Sequence, residues 1–447
     1  MANTETIRED VHSKGSDSEE VLHLFAELGT DPTWSFSELT TRHTRYATHG
    51  YHTYPAKFIP QLAARLIREL TRPGQWVLDP FMGSGTTLVE AKVLGRPSLG
   101  VDINPVAHLI SLSKTRPVDP DLLSEEIVQF DRWLSDDQAG QLSFWSSMAS
   151  VPSPDHERID YWFEPEKKDC LAKILHLIET KTQESTRPFF RCAFSNSLKT
   201  SSIWLQRSTK PTRDLAKVPP DPRETFLKNV RRMAKGNKVF FDLLEKSGNV
   251  DTPAEPYCAD ARNLPCEDGQ LSLVVTSPPY VTSYEYADLH QLSALWFEQM
   301  TDLPSFRRRF IGTAYHEERE PNCDSKIADT IVDELSKEKK KTADEVANYF
   351  TEMREVFSCL KKKLKRRGRA CIVVGNTNLL GVDILNAEVF SEQLLRLGFE
   401  LERVIDRVIP SKILPQVRDK STGRFTSKLA ADFQAYPHEY ILIARKK

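Results

Sequence analysis

Apolar positions along this chain follow two rhythms. From Pro60 to Asp102, and again beyond Pro256, short apolar runs alternate with stretches of helical spacing. Leu62, Leu66, Ile67 and Leu70 mark one helix face, which Pro73-Gly74 ends. Trp76-Val77-Leu78 then reads as a short buried strand, Gly83-Ser84-Gly85 as a turn, and Thr86 to Leu94 as a helix. Ser98 to Val101 forms the next strand, ending at Asp102. Strand, glycine turn, helix and acid-terminated strand make a nucleotide-binding βαβ unit. In the second stretch Tyr257-Cys258, Leu271–Val275, Ala370–Val374, Leu401–Val408 and Tyr440–Ala444 are the apolar runs expected of strands buried on both faces.

Between these stretches the rhythm is helical and polar. One sheet domain carrying a large insertion accounts for this better than two independent domains. The expected division is a disordered acidic tail over 1–18 and a first part of the sheet domain over 19–116. A mainly helical, basic insertion follows over 117–250, then the second part of the sheet domain over 251–447, with a helical excursion at 281–361. A first helix is expected over Glu19–Leu28, where Val21, Leu22, Leu24, Phe25 and Leu28 repeat at helical spacing. The basic run Lys361–Arg369 reads as a solvated turn, and Asn376 as a strand-end residue that could face a cleft.

Composition narrows the class. The opening residues lack the apolar stretch of a signal peptide, and no run reaches the ~18 apolar residues of a membrane span. Seven scattered cysteines without metal-ligand spacing read as reduced thiols of a cytoplasmic protein, and no metal site is expected. The net charge of −2 hides an uneven distribution, because residues 181–240 hold fourteen Lys or Arg against four Asp or Glu. That excess suits contact with phosphates. The interleaved Phe189, Phe190, Phe194 and Trp204 are better read as a local core. Arg307-Arg308-Arg309 is a rival for sequence reading.

Two motifs carry chemistry. In Asp79-Pro80-Phe81-Met82-Gly83-Ser84-Gly85-Thr86-Thr87 the glycines permit close approach of a ligand to the main chain, and the helix beginning at Thr86 presents free N–H groups. Asp79 is placed to bind a cationic amine, and Asp102 to accept ribose hydroxyls. A lone turn of this kind is often only a tight connection. No Lys-Ser or Lys-Thr follows to make a triphosphate loop, and Leu88 stands where a dinucleotide fingerprint has its third glycine. The second motif, Thr276-Ser277-Pro278-Pro279-Tyr280, directly follows an apolar strand. Its prolines stiffen the chain and remove two donors. A Ser277 hydroxyl beside a proline-flanked carbonyl is an acceptor pair suited to an exocyclic amine, and Tyr280 offers a face for an extruded base. Ligands of parallel sheets bind outside the carboxyl ends of the strands, so both motifs are expected to open onto one cleft.

These residues resemble the DNA amino-methyltransferase family, with Ser-Pro-Pro-Tyr in the form associated with cytosine-N4 enzymes. His52-Thr53-Tyr54-Pro55-Ala56-Lys57-Phe58 resembles the family's additional cofactor motif. The resemblance implies an α/β, Rossmann-like class I methyltransferase sheet of seven strands, the last antiparallel. It implies S-adenosyl-L-methionine as cofactor, held by Tyr54, Lys57, Asp79, Pro80, Phe81, Gly83, Gly85, Thr86, Asp102 and Asp260. Ser277, Pro278, Pro279 and Tyr280 would be the catalytic residues. The expected activity is methyl transfer to cytosine N4 in a specific double-stranded DNA sequence, as the modification enzyme of a restriction-modification or related defence system. A cognate restriction endonuclease is the protein partner such a system implies. Acceptor bonds from Ser277 and the Pro278 region would draw the amine toward tetrahedral geometry and stabilise its developing charge. No Pro-Cys nucleophile for ring-carbon methylation is present. Adenine-N6 methylation, amine methylation of RNA, and a non-catalytic nucleic-acid-binding role are the alternatives.

Overall fold

The computed structural model describes residues 17–447 except 56, 136–147, 149–150, 209, 282–285, 316–319, 410–416, 419–432 and 435–437, with backbone alone at 417–418 and 433–434. The tail expected over 1–18 lies outside the described residues as far as 16, and Ala56 lies outside them too. The helices are α1 (Asp17–Ala26), α2 (Thr41–Thr44), α3 (Pro60–Leu70), α4 (Thr86–Val93), α5 (Pro105–Thr115), α6 (Pro120–Leu134), α7 (Glu157–Trp162), α8 (Pro165–Lys181), α9 (Arg187–Leu198), α10 (Pro222–Ser247), α11 (Tyr286–Trp296), α12 (Leu303–Arg308), α13 (Lys326–Glu338), α14 (Lys340–Lys363) and α15 (Asn386–Arg396). The strands are β1 (Val77–Asp79), β2 (Ser98–Asp102), β3 (Ala254–Cys258), β4 (Leu271–Thr276), β5 (Leu364–Val374), β6 (Thr377–Leu379), β7 (Val382–Ile384), β8 (Phe399–Val408), β9 (Val417–Arg418), β10 (Phe433–Gln434) and β11 (His438–Lys446).

Seven strands form one sheet in the order β3-β2-β1-β4-β5-β11-β8. The strands from β3 to β5 run parallel, and β11 lies antiparallel between β5 and β8. The chain is therefore an α/β protein with the seven-stranded sheet expected of a class I methyltransferase. Alternate residues of each strand enter different layers. Leu78, Val274 and Ile372 pack with α13, α14 and α15, while Val77, Leu273, Val275 and Cys371 pack with Leu62, Leu66 and Ile67 of α3.

A second core forms over the insertion. Phe130, Trp162, Phe189, Phe190, Phe194, Trp204 and Phe226 are all buried there, together with Leu295, Trp296 and Phe306 from the later excursion. Two segments far apart in sequence thus share one hydrophobic cluster, and the aromatics interleaved with the basic residues belong to it.

Two expectations are corrected. Lys361–Arg369 is not a free turn: α14 runs through Lys363, and Leu364, fully buried, starts β5. A register shift opposite Leu271 and Leu273 lets the cations between them stay outside. Asn376 does not face a cleft. Its Nδ2 donates to Glu388 at 2.8 Å and its Oδ1 accepts from Ala387 N at 3.0 Å, so it holds the start of α15.

Candidate active site

The turn after β1 is held from several sides. Gly83 and Gly85 have φ of +46° and +72°, the left-handed region that glycine enters without a Cβ clash. A Cβ at Gly85 would lie 2.8 Å from Ser111 Oγ, so the turn also sits directly on α5. Ser111 Oγ donates to the Gly83 carbonyl at 3.0 Å, and the buried Lys114 ammonium donates to the Ser84 carbonyl. Gly83 N–H in turn donates to Asp102 Oδ2 at 3.0 Å, and Asn104 N–H to Asp102 Oδ1 at 2.9 Å.

Asp79 joins the two motifs. It accepts from Phe81 N–H at 3.1 Å, from Thr87 Oγ1 at 2.9 Å and from Thr276 Oγ1 at 2.7 Å. Thr276 is the residue immediately before Ser277, and β4 lies beside β1, so the Ser-Pro-Pro-Tyr segment leaves the sheet next to the glycine turn. Burial pushes the Asp79 carboxyl up to about 6 against the pull of its three donors. Burial likewise raises Asp102 to about 6 against its two amide donors.

One cleft lies over these strand ends. Its lining includes Tyr54, Lys57, Asp79, Pro80, Phe81, Gly83, Thr86, Asp102, Asp260, Ser277 and Pro279. Gly85, Pro278 and Tyr280 are not in its wall. Gly85 is turned onto Ser111, and Pro278 is buried. The Tyr280 ring packs by Gly375, and its hydroxyl donates to Glu439 at 3.2 Å. Tyr349 Oη donates to the Pro279 carbonyl at 2.8 Å, which occupies one of the acceptors expected to face the cleft. The Ser277 side chain and the Pro278 carbonyl make no hydrogen bond among the described residues. Asp260 is paired with Arg262 at 2.6 Å, which holds its carboxyl below the usual carboxylate range despite partial burial. Lys57 Nζ donates to the His49 carbonyl at 3.0 Å, and burial together with the Arg45 charge lowers it to about 8.

Several wall residues escaped the sequence reading. Ile103 follows the acid of β2, and Tyr286, Arg309, Phe310 and Ile311 come from the later excursion. Arg309, the last of the three consecutive arginines, donates to the Ile103 carbonyl at 3.3 Å. Arg307 is instead paired with Asp288 at 2.7 Å. The arginine run pointed to DNA contact and not to this cleft, and no motif surrounds the other positions. Lys114 was equally unmarked, although a lysine among apolar positions of a helix is a cue to a buried partner.

The cleft suits a cationic, ribose-bearing cofactor. Asp79, Asp102 and Asp260 offer acceptors along its length, and Thr86 Oγ1, buried in its wall, has no hydrogen-bond partner among the described residues. A buried hydroxyl of this kind calls for a ligand atom or water to satisfy it. Among the described residues no group of His, Cys, Asp and Glu could hold a metal ion, and no helix is long and apolar enough to cross a membrane. Sheet order, glycine turn and acid-lined cleft together define an S-adenosylmethionine-dependent methyltransferase.

Comparison with known proteins refines that class. The DNA methylase family profile matches residues 4–113, which hold the glycine turn and both strand-end acids. The chain is 29% identical over 394 residues to the type II methyltransferase M.MvaI of Kocuria varians, covering 83% of this chain and 86% of that protein. It is 35% identical over 121 residues to the type II methyltransferase M.MjaII of Methanocaldococcus jannaschii, covering 25% of this chain and 23% of the relative. A solved S-adenosylmethionine-dependent methyltransferase from Methanosarcina mazei aligns over 88% of this chain and 98% of its own, at 10% identity and a TM-score of 0.31. The fold rests on the strand order above. These likenesses support a place for the chain in the DNA amino-methyltransferase family.

Proposed function

We propose that this protein transfers a methyl group to the N4 amine of cytosine in a specific double-stranded DNA sequence, as the cytoplasmic modification enzyme of a type II restriction-modification system with a cognate endonuclease. The observation that carries the reading is the meeting of the two motifs: Ser277 and Pro279 share one cleft with Asp79, Gly83 and Asp102. The type II methyltransferases similar to this chain support the biological setting.

The cofactor supplies an electrophilic methyl group carried on a sulfonium. Asp102 would accept the ribose hydroxyls, Asp260 the adenine amine, and the wall from Asp79 to Thr86, with Tyr54 and Lys57, the methionine end. Asp79 is already engaged by three donors, so it acts as much by fixing the glycine turn as by facing a ligand. The target amine is a double donor and a weak nucleophile, because its lone pair is conjugated with the ring. The Ser277 hydroxyl and the Pro278 carbonyl, both without a hydrogen-bond partner among the described residues, are the acceptors that would take its hydrogens. Preorganised acceptors aimed at developing positive charge act strongly in a site that excludes water. Tyr280, fixed through its hydroxyl on Glu439, would present its ring to a base rotated out of the duplex.

Nucleoside mass spectrometry after incubation with labelled cofactor and either unmethylated DNA or RNA tests the reading. N4-methylcytosine from DNA is expected. N6-methyladenine as the DNA product, or methylation of RNA alone, would replace it.

A further inference from the structure

The basic insertion meets the residues ahead of the cofactor motif in an open groove that shares no lining residue with the cleft. Its lining is Arg45, Gly50, Tyr51 and Thr53 on one side, and Asn196, Asn229, Arg232, Lys235 and Val239 on the other, with Ala47 and Gly236 at its base. Three cations and several amide or hydroxyl groups line it, without a single carboxylate.

The groove is built by one helix face. Asn229, Arg232, Lys235, Gly236 and Val239 recur at helical spacing along α10. Gly236 lets that face press onto the short turn at Ala47–Gly50: a Cβ there would come within 2.5 Å of the Ala47 carbonyl oxygen. Arg232 is oriented across the gap, donating to the Gly50 carbonyl and to the Tyr51 carbonyl at 2.8 Å. Asn196 Oδ1 accepts from Thr53 N–H at 3.0 Å, and Asn196 Nδ2 donates to Asn229 at 2.9 Å. Arg45 and Lys235 are exposed, and neither forms an ion pair among the described residues. The Arg45 charge contributes to lowering both Lys57 and Arg232, so its field extends across the groove and toward the cleft.

The groove also adjoins the active site. Thr53 lines the groove, and the next residue, Tyr54, lines the cofactor cleft beside Gly83. We infer that this groove seats the phosphodiester backbone of duplex DNA flanking the target base, with Arg45 and Lys235 as the phosphate-contacting cations and Arg232 as the residue that holds the groove's shape. The inference rests on the proposed DNA reading and assigns that substrate a second place of contact. Of the many cations in the insertion, it selects those converging on one concave, carboxylate-free surface.

The test is fluorescence anisotropy of a labelled duplex oligonucleotide with the full chain, wild type against R45E/K235E, across a series of salt concentrations. Each lost phosphate contact lowers the slope of log affinity against log salt by roughly 0.9, so the double variant should lose about 1.8 from the slope and bind at least ~10-fold more weakly at moderate salt. Cofactor binding, followed by the thermal shift it produces, should stay within about 2-fold, which shows that the variant is folded. The milder K235A, which cannot disturb the core, should lose about half as much slope. A control pair, K365E/R366E on the distant β5 bulge, should leave both readouts unchanged. Wild-type affinity and slope in R45E/K235E, an equal loss in the control pair, or tighter binding of duplex RNA than of duplex DNA would each overturn the inference. If wild type modifies DNA while R45E/K235E binds it normally, only the groove fails. A wild type that neither binds nor modifies DNA removes the underlying reading as well.

Discussion

Thr276 Oγ1 lies 2.7 Å from Asp79 Oδ1, and through that bond the strand before Ser-Pro-Pro-Tyr is fastened to the strand before the glycine turn. Both residues are buried, and they are 197 positions apart in the chain. The bond couples the wall of the proposed cofactor site to the proposed substrate acceptor.

Replacing Thr276 by Val keeps its shape and removes the donor. A buried hydrogen bond to a charged group contributes about 1.5–3 kcal/mol, so T276V should melt several degrees lower. It should also bind cofactor more weakly, while the methylated product stays the same base. Differential scanning calorimetry and cofactor titration measure both. An unchanged melting temperature and cofactor affinity would show that the bond is not what joins the motifs.

Ser277→Ala removes one of the two proposed acceptors without touching the cofactor's wall beyond that hydroxyl. Loss of one preorganised group of this kind costs roughly 10²–10³ in rate. Single-turnover methyl transfer to DNA should fall by that factor, with cofactor affinity within about 2-fold. Retained transfer would move the acceptor elsewhere.

Cofactor affinity should fall in acid. Asp79 and Asp102 are both raised to about 6 by burial, and a cationic or hydroxyl-donating ligand favours their ionised forms. Below about pH 6 these groups take up protons in the free protein, and binding must then release them. Affinity should therefore be flat above pH 7 and weaken by up to ~10-fold per unit below 6 for each proton released. Isothermal titration calorimetry across pH 5–8 reads this directly, and a flat profile would contradict ionised carboxylates in the complex.

Lys114 acts through the Ser84 carbonyl that it holds. Burial drives its ammonium well below the ordinary lysine range, and the Ser84 carbonyl and hydroxyl accept from it. Lys114→Met preserves length and apolar bulk but leaves the carbonyl unheld. KM for the cofactor should rise about 10-fold with little change in kcat at saturation, which identifies a positioning residue. A fall in kcat alone would assign it a different role.

The sheet was legible because its strands are short apolar runs set between glycine turns and helices, a pattern that local residue types impose. β1, β2 and β4 fall within a residue of expectation, and the central motifs sit on their carboxyl ends. The start of β5 was less visible: Leu364–Arg369 carries cations that read as a turn, since a β-bulge leaves no periodic signature. Arg309, Phe310 and Ile311 could not be placed in the cleft from sequence, because nothing local marks a loop that returns from a distant excursion.

Order along the chain thus sufficed for the fold class and for placing the glycine turn and Ser-Pro-Pro-Tyr at strand ends, since each depends on backbone freedom and residue type within a few positions. Folding in three dimensions set the rest. It merged the insertion and the later excursion into one core, turned Tyr280 toward Glu439, and gave the Pro279 carbonyl to Tyr349. It also gathered Arg45, Arg232 and Lys235 into one groove. The physical reason is range: packing and hydrogen bonding join residues hundreds of positions apart, and no local periodicity records which partner a buried group will find.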